Sequence, residues 1–134
     1  MTGRLQCDLY SAMSYIKEYN RFASSAGMIL PNETEPNRPA YNLESLHDEI
    51  HNAVGGWQSS VDNTERGTMY YLEISAFDPI FWLHHAMVDR MVTMFQVLNP
   101  DSWITPQGHR DPLWTIREGQ IVDGNTRTSY RIIR

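Results

Sequence analysis

The chain has 134 residues, a formal net charge of −5 and a hydrophobic fraction of 41%. This is the length of one ordinary domain, so we expect residues 1–134 to form a single unit with its own core. The negative charge offers no basic surface to nucleic acid or to an anionic membrane. No apolar run approaches the ~20 residues that span a bilayer. The N-terminus lacks the apolar core of a signal peptide, so we expect a soluble chain whose compartment is not encoded here.

Two amphipathic helices are predicted in the first half of the chain. Apolar residues at near-helical spacing predict the first helix over residues 7–25. The three prolines within residues 30–41 then predict a loop. Asn42 is a suitable N-cap for the second helix, which Gly55 and Gly56 would end. The apolar positions of this second helix are Leu43, Leu46, Ile50 and Val54. They share a side of the helix with two histidines.

A third helix has the clearest start in the sequence. Asp78 can cap it, and Pro79 occupies the first helical position, where its missing N–H donor costs nothing. Asn99 and Pro100 should end it near Leu98. Apolar residues occupy most of the circumference, which predicts a buried helix.

The segments on either side of the third helix are irregular in pattern. Residues 57–77 predict a long loop that ends in an extended turn, and loops of this length often carry function. After Trp103 the sequence becomes polar and contains several glycines. Residues 115–117 and 120–122 are possible short strands there.

The five histidines are the main indication of function, and four of them form two pairs. His47 and His51 are four positions apart, so on a helix both imidazoles leave the same face and can bind one metal ion. A pair of solvated helix histidines is the alternative. An HExxH zinc-peptidase site is excluded, because Asp48 stands where that motif has glutamate.

The second pair, His84 and His85, lies on the third helix and can complete a set of three imidazoles. Such a set suits copper, zinc or iron. Adjacent helical residues diverge by ~100°, so only one of the two can join the face that meets His47 and His51. The other would be a core histidine or an incidental neighbour.

These histidines lie within a longer pattern that resembles the copper-B half of the tyrosinase, catechol oxidase and polyphenol oxidase family, especially its fungal members. The matching text is ESLHDEIH at residues 44–51, VGG at 54–56 and SAFDPIFWLHHAMVDR at 75–90. Residues 10–22 and 98–106 also resemble segments that flank this site in fungal members. The resemblance implies a mainly α-helical fold with two helices of the family's four-helix dicopper bundle, an N-terminal helix and an irregular C-terminal segment.

The resemblance also implies metal ligands. In the family's signature, the copper-binding histidine stands four positions before an aspartate, which assigns copper to His85 together with His47 and His51. His84 would then pack or hydrogen-bond beside the site, although direct ligation stays open. Asp89 could accept a hydrogen bond from a ligand imidazole, or could pair with an arginine instead.

Further residues near the histidines match positions to which the family gives roles. Glu44 matches a water-orienting carboxylate, although an exposed glutamate in the first helical turn is an equal alternative. Asp48 and Asn52, each directly after a ligand, match positions that tune substrate handling. Phe81 would limit solvent access to the metal, although core packing explains it equally well.

The family's enzymes hold two coppers, each through three histidines, and the copper-A ligands precede the copper-B ligands. Here residues 1–46 contain no histidine, and only His109 lies outside the two pairs. Residues 1–134 are therefore expected to form a single copper-B domain without a copper-A half, holding one copper ion. A second copper would need another chain or segment, so a copper-A-bearing partner or a dimer is possible.

The resemblance implies oxidation of phenols and o-diphenols to o-quinones with dioxygen, with a phenolic or catecholic small molecule as substrate. The alternative is a copper-binding fragment or truncated product without catalytic activity. A mononuclear zinc hydrolase is a third interpretation, because three histidines and a water are also a catalytic zinc arrangement.

Overall fold

The fold is mainly α-helical, as predicted. The computed structural model describes residues 2–25, 41–56, 66–108, 117 and 119–125. Within them lie four α-helices: α1 (Thr2–Tyr15), α2 (Tyr19–Ala23), α3 (Leu43–Val54) and α4 (Pro79–Leu98). Two 3-10 turns, Thr68–Tyr70 and Ser75–Phe77, connect α3 to α4. None of the helices in these ranges is long and apolar enough to cross a membrane.

The core lies where the four helices meet. Phe22 of α2 is fully buried and stacks on Phe95 of α4, with ring centroids 4.0 Å apart and planes at 10°. Tyr19 contacts the edge of Phe95. The other buried members of the core are Ala12 of α1, Ile16 directly after that helix, and Leu43 and Leu46 of α3. This packing fixes α3 and α4 side by side.

The boundaries of α3 agree with the prediction from its caps. The side-chain oxygen of Asn42 accepts a hydrogen bond from the Ser45 N–H at 2.7 Å, and the Ser45 hydroxyl oxygen accepts one from the Asn42 N–H at 3.0 Å. This reciprocal capping box satisfies donors that the first helical turn leaves free. At the other end the chain leaves the helix through Gly55 and Gly56, and Gly56 has a φ of 84°, which favours glycine.

The boundaries of α4 are also confirmed, but its predicted burial is wrong. The Asp78 carboxylate accepts a hydrogen bond from the Ile80 N–H at 3.0 Å, and the helix ends at Leu98. Phe95 is the one buried residue of α4. Trp82 is 64% and Leu83 73% exposed. Apolar residues occur all around α4, but the other described helices pack against only one side of this helix. The apolar residues on the other side therefore remain exposed.

The predicted single helix over residues 7–25 is wrong, because the chain breaks between α1 and α2. Glu18 is extended, with φ −94° and ψ 128°, and α2 begins anew at Tyr19. The break has a tertiary cause: the Tyr19 N–H donates to the Ser102 hydroxyl oxygen at 2.9 Å, so it does not continue the helical hydrogen bonding of α1. The Asn20 side chain likewise donates to the Thr105 carbonyl oxygen at 2.9 Å.

A small antiparallel sheet follows α4. Strand β1 (Gln107–Gly108) pairs with β2 (Ile121–Val122), with Gln107 opposite Val122. The strand predicted over residues 120–122 is thus found at 121–122. Of the strand predicted over residues 115–117, Arg117 is not in a strand, and 115–116 lie outside the described residues. The loop predicted over residues 30–41 also falls largely outside them.

Candidate metal centre

Four histidines from two helices meet in one cluster. His47 and His51 lie one turn apart on α3, with ring centroids 4.5 Å apart. His84 and His85 come from the second turn of α4, and their rings lie 4.9 and 5.0 Å from that of His47. The cluster exists because Asp78 starts α4 at a point where its second turn lies beside the middle of α3.

His51 presents a bare nitrogen to the inside of the cluster. Its side chain is buried, with 4% of the residue exposed, and Nδ1 lies 2.8 Å from the Met69 carbonyl oxygen. A carbonyl oxygen can only accept, so Nδ1 carries the ring proton and Nε2 carries a lone pair. Nε2 is buried without a hydrogen-bond partner. A buried lone pair of this kind is stabilised by a metal ion or by a proton donor.

His47 and His85 point their Nε2 atoms at each other across the gap between α3 and α4. The two atoms are 3.1 Å apart. Nδ1 of His85 donates to the Phe81 carbonyl oxygen at 2.9 Å, and Nδ1 of His47 donates to Asp48 Oδ1 at 2.9 Å. Neutral rings held in this way face each other lone pair to lone pair, which is repulsive. Nitrogen–metal bonds of about 2.0 Å separate two ligand nitrogens on one ion by about 3 Å, so the spacing fits a shared metal.

His84 completes the cluster on the other side. Its Nε2 is buried without a hydrogen-bond partner. Burial, followed by the charges that His47, His51 and His85 would carry, lowers the pKa of His84 to about 4. The imidazole is therefore neutral at ordinary pH, which is the form that binds metals. One ring nitrogen each from His47, His51 and His84 lies within 4.8 Å of the others.

An apolar groove of 340 Å³ runs beside the cluster, between α4 on one side and α1 and α3 on the other. His47 and His84 form part of its wall, and Leu83 and Met87 contribute apolar surface from α4. A larger cavity of 580 Å³ lies near Tyr19 at the C-terminal end of α4, and no histidine lines it. The groove is therefore a concave surface that leads to the imidazoles.

The family model described as the common central domain of tyrosinase matches residues 4–98, which include both histidine pairs and the helices that carry them. The chain belongs to the tyrosinase family. The resemblance drawn from residues 44–56 and 75–90 is thereby confirmed.

Among known tyrosinases, that of Neurospora crassa is 43% identical over 85 residues, which cover 63% of this chain and 11% of that protein. The structure of recombinant mushroom tyrosinase superposes with a TM-score of 0.70 at 29% identity, covering 91% of this chain and 21% of the other. A copper-bound Aspergillus oryzae tyrosinase gives a TM-score of 0.60 at 30% identity, covering 75% and 23%. The chain spans about a tenth of the length of the Neurospora crassa tyrosinase and a fifth of that of polyphenol oxidase 2 of Agaricus bisporus, which it also matches.

Two geometric features bear on which α4 histidine would be the third ligand in this tyrosinase-family domain. The mutual spacing of ring nitrogens groups His84 with His47 and His51. The short contact between the Nε2 atoms instead joins His85 to His47. The family signature favours His85. The assignment of His85 stays a prediction.

Of the other predicted site residues, Phe81 and Asp48 contact imidazole rings of the cluster, whereas the Glu44 carboxylate binds a backbone N–H outside it. The Phe81 ring packs on the His85 ring, with centroids 3.9 Å apart, and lies 6.1 Å from that of His51. Asp48 contacts His47, as described above. Glu44 lies one turn before His47, and its carboxylate accepts a hydrogen bond from the Ser25 N–H at 2.6 Å.

Two predicted residues form no side-chain hydrogen bond or ion pair with an imidazole in the part of the chain described. Asn52 is half-buried on α3 beside His51. Asp89 is exposed on α4, and its carboxylate forms neither a hydrogen bond nor an ion pair with the described residues. Their roles at the site stay predictions. His109 lies outside the described residues.

Sequence reasoning missed the groups that hold the imidazole rings in place. Met69 and Phe81 act through their carbonyl oxygens. A backbone oxygen leaves no mark in a residue pattern, because every residue carries one. Gly55 was identified only as a helix end, and nothing in its pattern indicated how closely Tyr70 approaches it.

Proposed function

We propose that this domain is the copper-B half of a tyrosinase-type oxidase centre and holds one copper ion through His47, His51 and His85. The observation that carries the proposal is the meeting of imidazole rings from α3 and α4, where the Nε2 atoms of His47 and His85 lie 3.1 Å apart and Nε2 of His51 is buried without a hydrogen-bond partner. The chemistry of the donor set supports copper, because neutral imidazoles suit that ion. Two of the rings are held in the required tautomer by carbonyl oxygens, those of Met69 and Phe81.

Copper bound here, paired with a second copper held by other residues, would supply the oxidation of a phenol or o-diphenol by dioxygen to an o-quinone. The chain's own contribution is to bind and orient. His47, His51 and His85 would provide three nitrogens to the ion. Phe81 covers the His85 ring and limits the access of water from that side.

Glu44 and Asp48 would handle the proton of an incoming phenol. Glu44 lies one turn before His47 on α3 and Asp48 directly after it, and Asp48 already contacts the ring of His47. A water held between the two side chains could accept the phenolic proton. His84 would act beside the metal, where its neutral imidazole adds no charge that would oppose a cation.

The second copper would be held by a copper-A-bearing chain or segment, or by another copy in a dimer. The groove beside His47 and His84 supports this arrangement, because it is an apolar surface that leads directly to the histidine cluster. Exposed residues of α4, including Leu83 and Met87, extend the same surface. Apolar patches of this kind mark interaction sites.

The test is reconstitution. The copper-loaded domain would be assayed for catechol oxidation alone and with a separately expressed copper-A half of a fungal tyrosinase. We expect negligible oxidation by the domain alone and quinone formation in the mixture. The matched control replaces His85 by alanine in the mixture and should abolish the gain. Robust oxidation by a strictly monomeric domain, or no oxidation by a complex shown to form and to contain two coppers, would contradict the proposal.

A copper-binding domain without catalytic activity is the second candidate. It is favoured by the histidine content, because the clustered residues make one three-histidine set and His109 alone cannot make another. Its distinguishing result is tight uptake of one copper with no oxidation in any mixture. Uptake of zinc in preference to copper, with hydrolytic activity, would instead support the mononuclear zinc alternative.

A further inference from the structure

The segment between α3 and α4 contacts both metal-bearing helices within five residues. We define the bridging turn as residues 66–70, which include the first 3-10 turn. We propose that the bridging turn positions the metal ligands, and that the positioning residues are Thr68 in the turn and Gly55 at the end of α3, against which the turn packs. This inference rests on the proposed metal-binding function, and it adds residues that touch neither metal nor substrate.

The first contact of the bridging turn is with a ligand. The Met69 carbonyl oxygen accepts the Nδ1 proton of His51 at 2.8 Å. Met69 itself is 1% exposed, so water cannot readily replace this acceptor. The contact fixes both the rotation of the ring and its tautomer, which leaves Nε2 free to bind metal. Groups that hold a ligand histidine in this way tune its metal affinity.

The second contact is with the C-terminal end of α3, and it depends on the absence of a side chain at Gly55. The Gly67 N–H donates to the Gly55 carbonyl oxygen at 2.9 Å. A Cβ atom at Gly55 would lie 2.5 Å from the Tyr70 backbone nitrogen and 2.7 Å from its Cα. The conformation of Gly55, φ −75° and ψ −2°, is open to any residue. Glycine is therefore required there for space, so that the turn can approach His51.

The third contact is with the start of α4. The Thr68 hydroxyl donates to Asp78 Oδ2 at 2.6 Å, while Oδ1 of the same carboxylate accepts the Ile80 N–H. Asp78 thus caps the helix that carries His84 and His85 and simultaneously holds the bridging turn. The Arg66 guanidinium lies 4.0 Å from the centroid of the Tyr70 ring and closes the turn on itself.

Through these three contacts the bridging turn links the ligands of α3 to those of α4. A displacement of the turn away from α3 would remove the acceptor from His51 Nδ1 and allow its proton to move to Nε2. The ring would then offer its metal-binding nitrogen in protonated form. A mere connector would have no such effect, so the tautomer of His51 separates a positioning role from a structural one.

The experiment compares two alanine substitutions at neighbouring glycines. Gly55→Ala forces a clash with the Tyr70 backbone. Gly67→Ala is the matched control, because its Cβ would meet nothing closer than 3.7 Å. Two measurements are made on the full 134-residue chain. The first is the His51 tautomer in the metal-free protein, from long-range ¹⁵N–¹H correlation spectra. The second is copper(II) affinity, from competition with a chelator.

We expect Gly55→Ala to shift His51 from the Nδ1–H tautomer towards Nε2–H and to weaken copper binding about 10- to 100-fold. Gly67→Ala should keep the Nδ1–H tautomer of His51 and a copper affinity within twofold of that of the wild type. A tautomer that stays Nδ1–H in Gly55→Ala, or an unchanged copper affinity, would overturn the proposal.

A second pair of variants keeps the test decisive if Gly55→Ala does not fold. Thr68→Val removes the hydroxyl that binds Asp78, whereas Thr68→Ser retains it. Thr68→Val should shift the His51 tautomer in the same direction and weaken copper binding about tenfold. Thr68→Ser should keep the wild-type tautomer and copper affinity. A wild-type tautomer and a wild-type copper affinity in Thr68→Val would contradict the positioning role of the bridging turn.

The failure of this inference can be distinguished from the failure of the proposed function. If the wild-type chain binds no copper, the copper-B function fails, and the His51 tautomer in the metal-free variants alone decides the role of the bridging turn. If the wild type binds copper and the variants behave like it, the function stands and the positioning role falls.

Discussion

His47 and His85 come from different helices, yet their Nε2 atoms lie 3.1 Å apart with the opposite nitrogen of each ring bound to an oxygen acceptor. Neither ring can relieve the contact by exchanging its tautomer without losing that acceptor. The pair is therefore stabilised by a cation, and metal binding should stabilise the fold that brings α3 and α4 together.

The first prediction concerns the amount of copper bound and its ligands. The chain should bind one copper ion, and His85→Ala should weaken binding more than about 100-fold, beyond the range typical of groups that only support a ligand. His84→Ala should cost about 10- to 100-fold. His109→Ala is the control and should retain wild-type affinity. Elemental analysis and chelator competition measure these effects.

Two tight coppers per monomer would show a metal site beyond the clustered histidines. A larger loss in His84→Ala than in His85→Ala would transfer the third ligand to His84, as the spacing of ring nitrogens allows.

The second prediction concerns stability of the core. Phe22→Ala should lower the free energy of unfolding by about 3–5 kcal/mol, because it removes a fully buried ring and leaves a cavity against Phe95. Tyr15→Ala, at a side chain that is 77% exposed, should change it by less than about 0.5 kcal/mol. Urea denaturation followed by circular dichroism measures both. An equal change in the free energy of unfolding in the two variants would contradict the assignment of Phe22 to the core.

The third prediction concerns acid stability. Hydrogen bonds from the Thr68 hydroxyl, and then from the Ile80 N–H, hold the pKa of the Asp78 carboxyl below its usual value. Because the folded-state pKa is lower than the unfolded-state pKa, the ionised carboxylate stabilises the fold above pH ~4, and this contribution is lost as the pH falls through the folded-state pKa. Asp78→Asn should flatten the pH dependence of the melting temperature below pH 5.

Thr68→Val provides the companion measurement, because it removes the larger cause of the shift in the Asp78 pKa. Its acid profile should lie between those of the wild type and Asp78→Asn. If all three profiles run parallel, the carboxylate does not contribute to acid stability in this way.

The fourth prediction concerns substrate preference and rests on the proposed two-copper assembly. Asp48 places a second negative charge one turn from Glu44, whereas asparagine would keep an acceptor for the His47 ring and add an N–H donor for a water. Asp48→Asn should therefore raise tyrosine turnover relative to catechol turnover by several-fold. Asp101→Asn, an exposed change far from the cluster, should not alter the ratio. An unchanged or lowered ratio in Asp48→Asn would refute the role of Asp48.

Local chemistry explains which parts of the fold could be predicted from sequence. The caps at Asn42 and Asp78 act within a few residues of the helix starts that they define, so their positions are visible in the sequence. The break before Tyr19 depends on Ser102, a residue 83 positions away, and no local pattern indicates it. The exposure of α4 likewise depends on what surrounds the helix, whereas the sequence records only that its residues are apolar.

The candidate site was predictable to a similar extent. The spacing of His47 and His51 predicts that they share a helical face, and the structure brings them together. Their meeting with α4 followed from resemblance to a family, because spacing alone does not determine which helices become neighbours. The supports of the rings, at Met69 and Phe81, are backbone oxygens. They could be found only once the path of the chain was known.

The pairing of Asn20 with Thr105 bears on when α2 can complete its contacts as the chain is synthesised. The Asn20 side chain donates to the Thr105 carbonyl oxygen and accepts from the Thr105 N–H, and the two residues are 85 positions apart. Contacts this distant in sequence close late, since the loop entropy must be lost first. During translation, α2 therefore cannot obtain these partners until Thr105 has left the ribosome. Until then α2 lacks its hydrogen bonds to Thr105, and Phe22 also lacks its packing partner until Phe95 has been made. We therefore expect ribosome-bound chains that end before Thr105 to be cut by protease near Asn20.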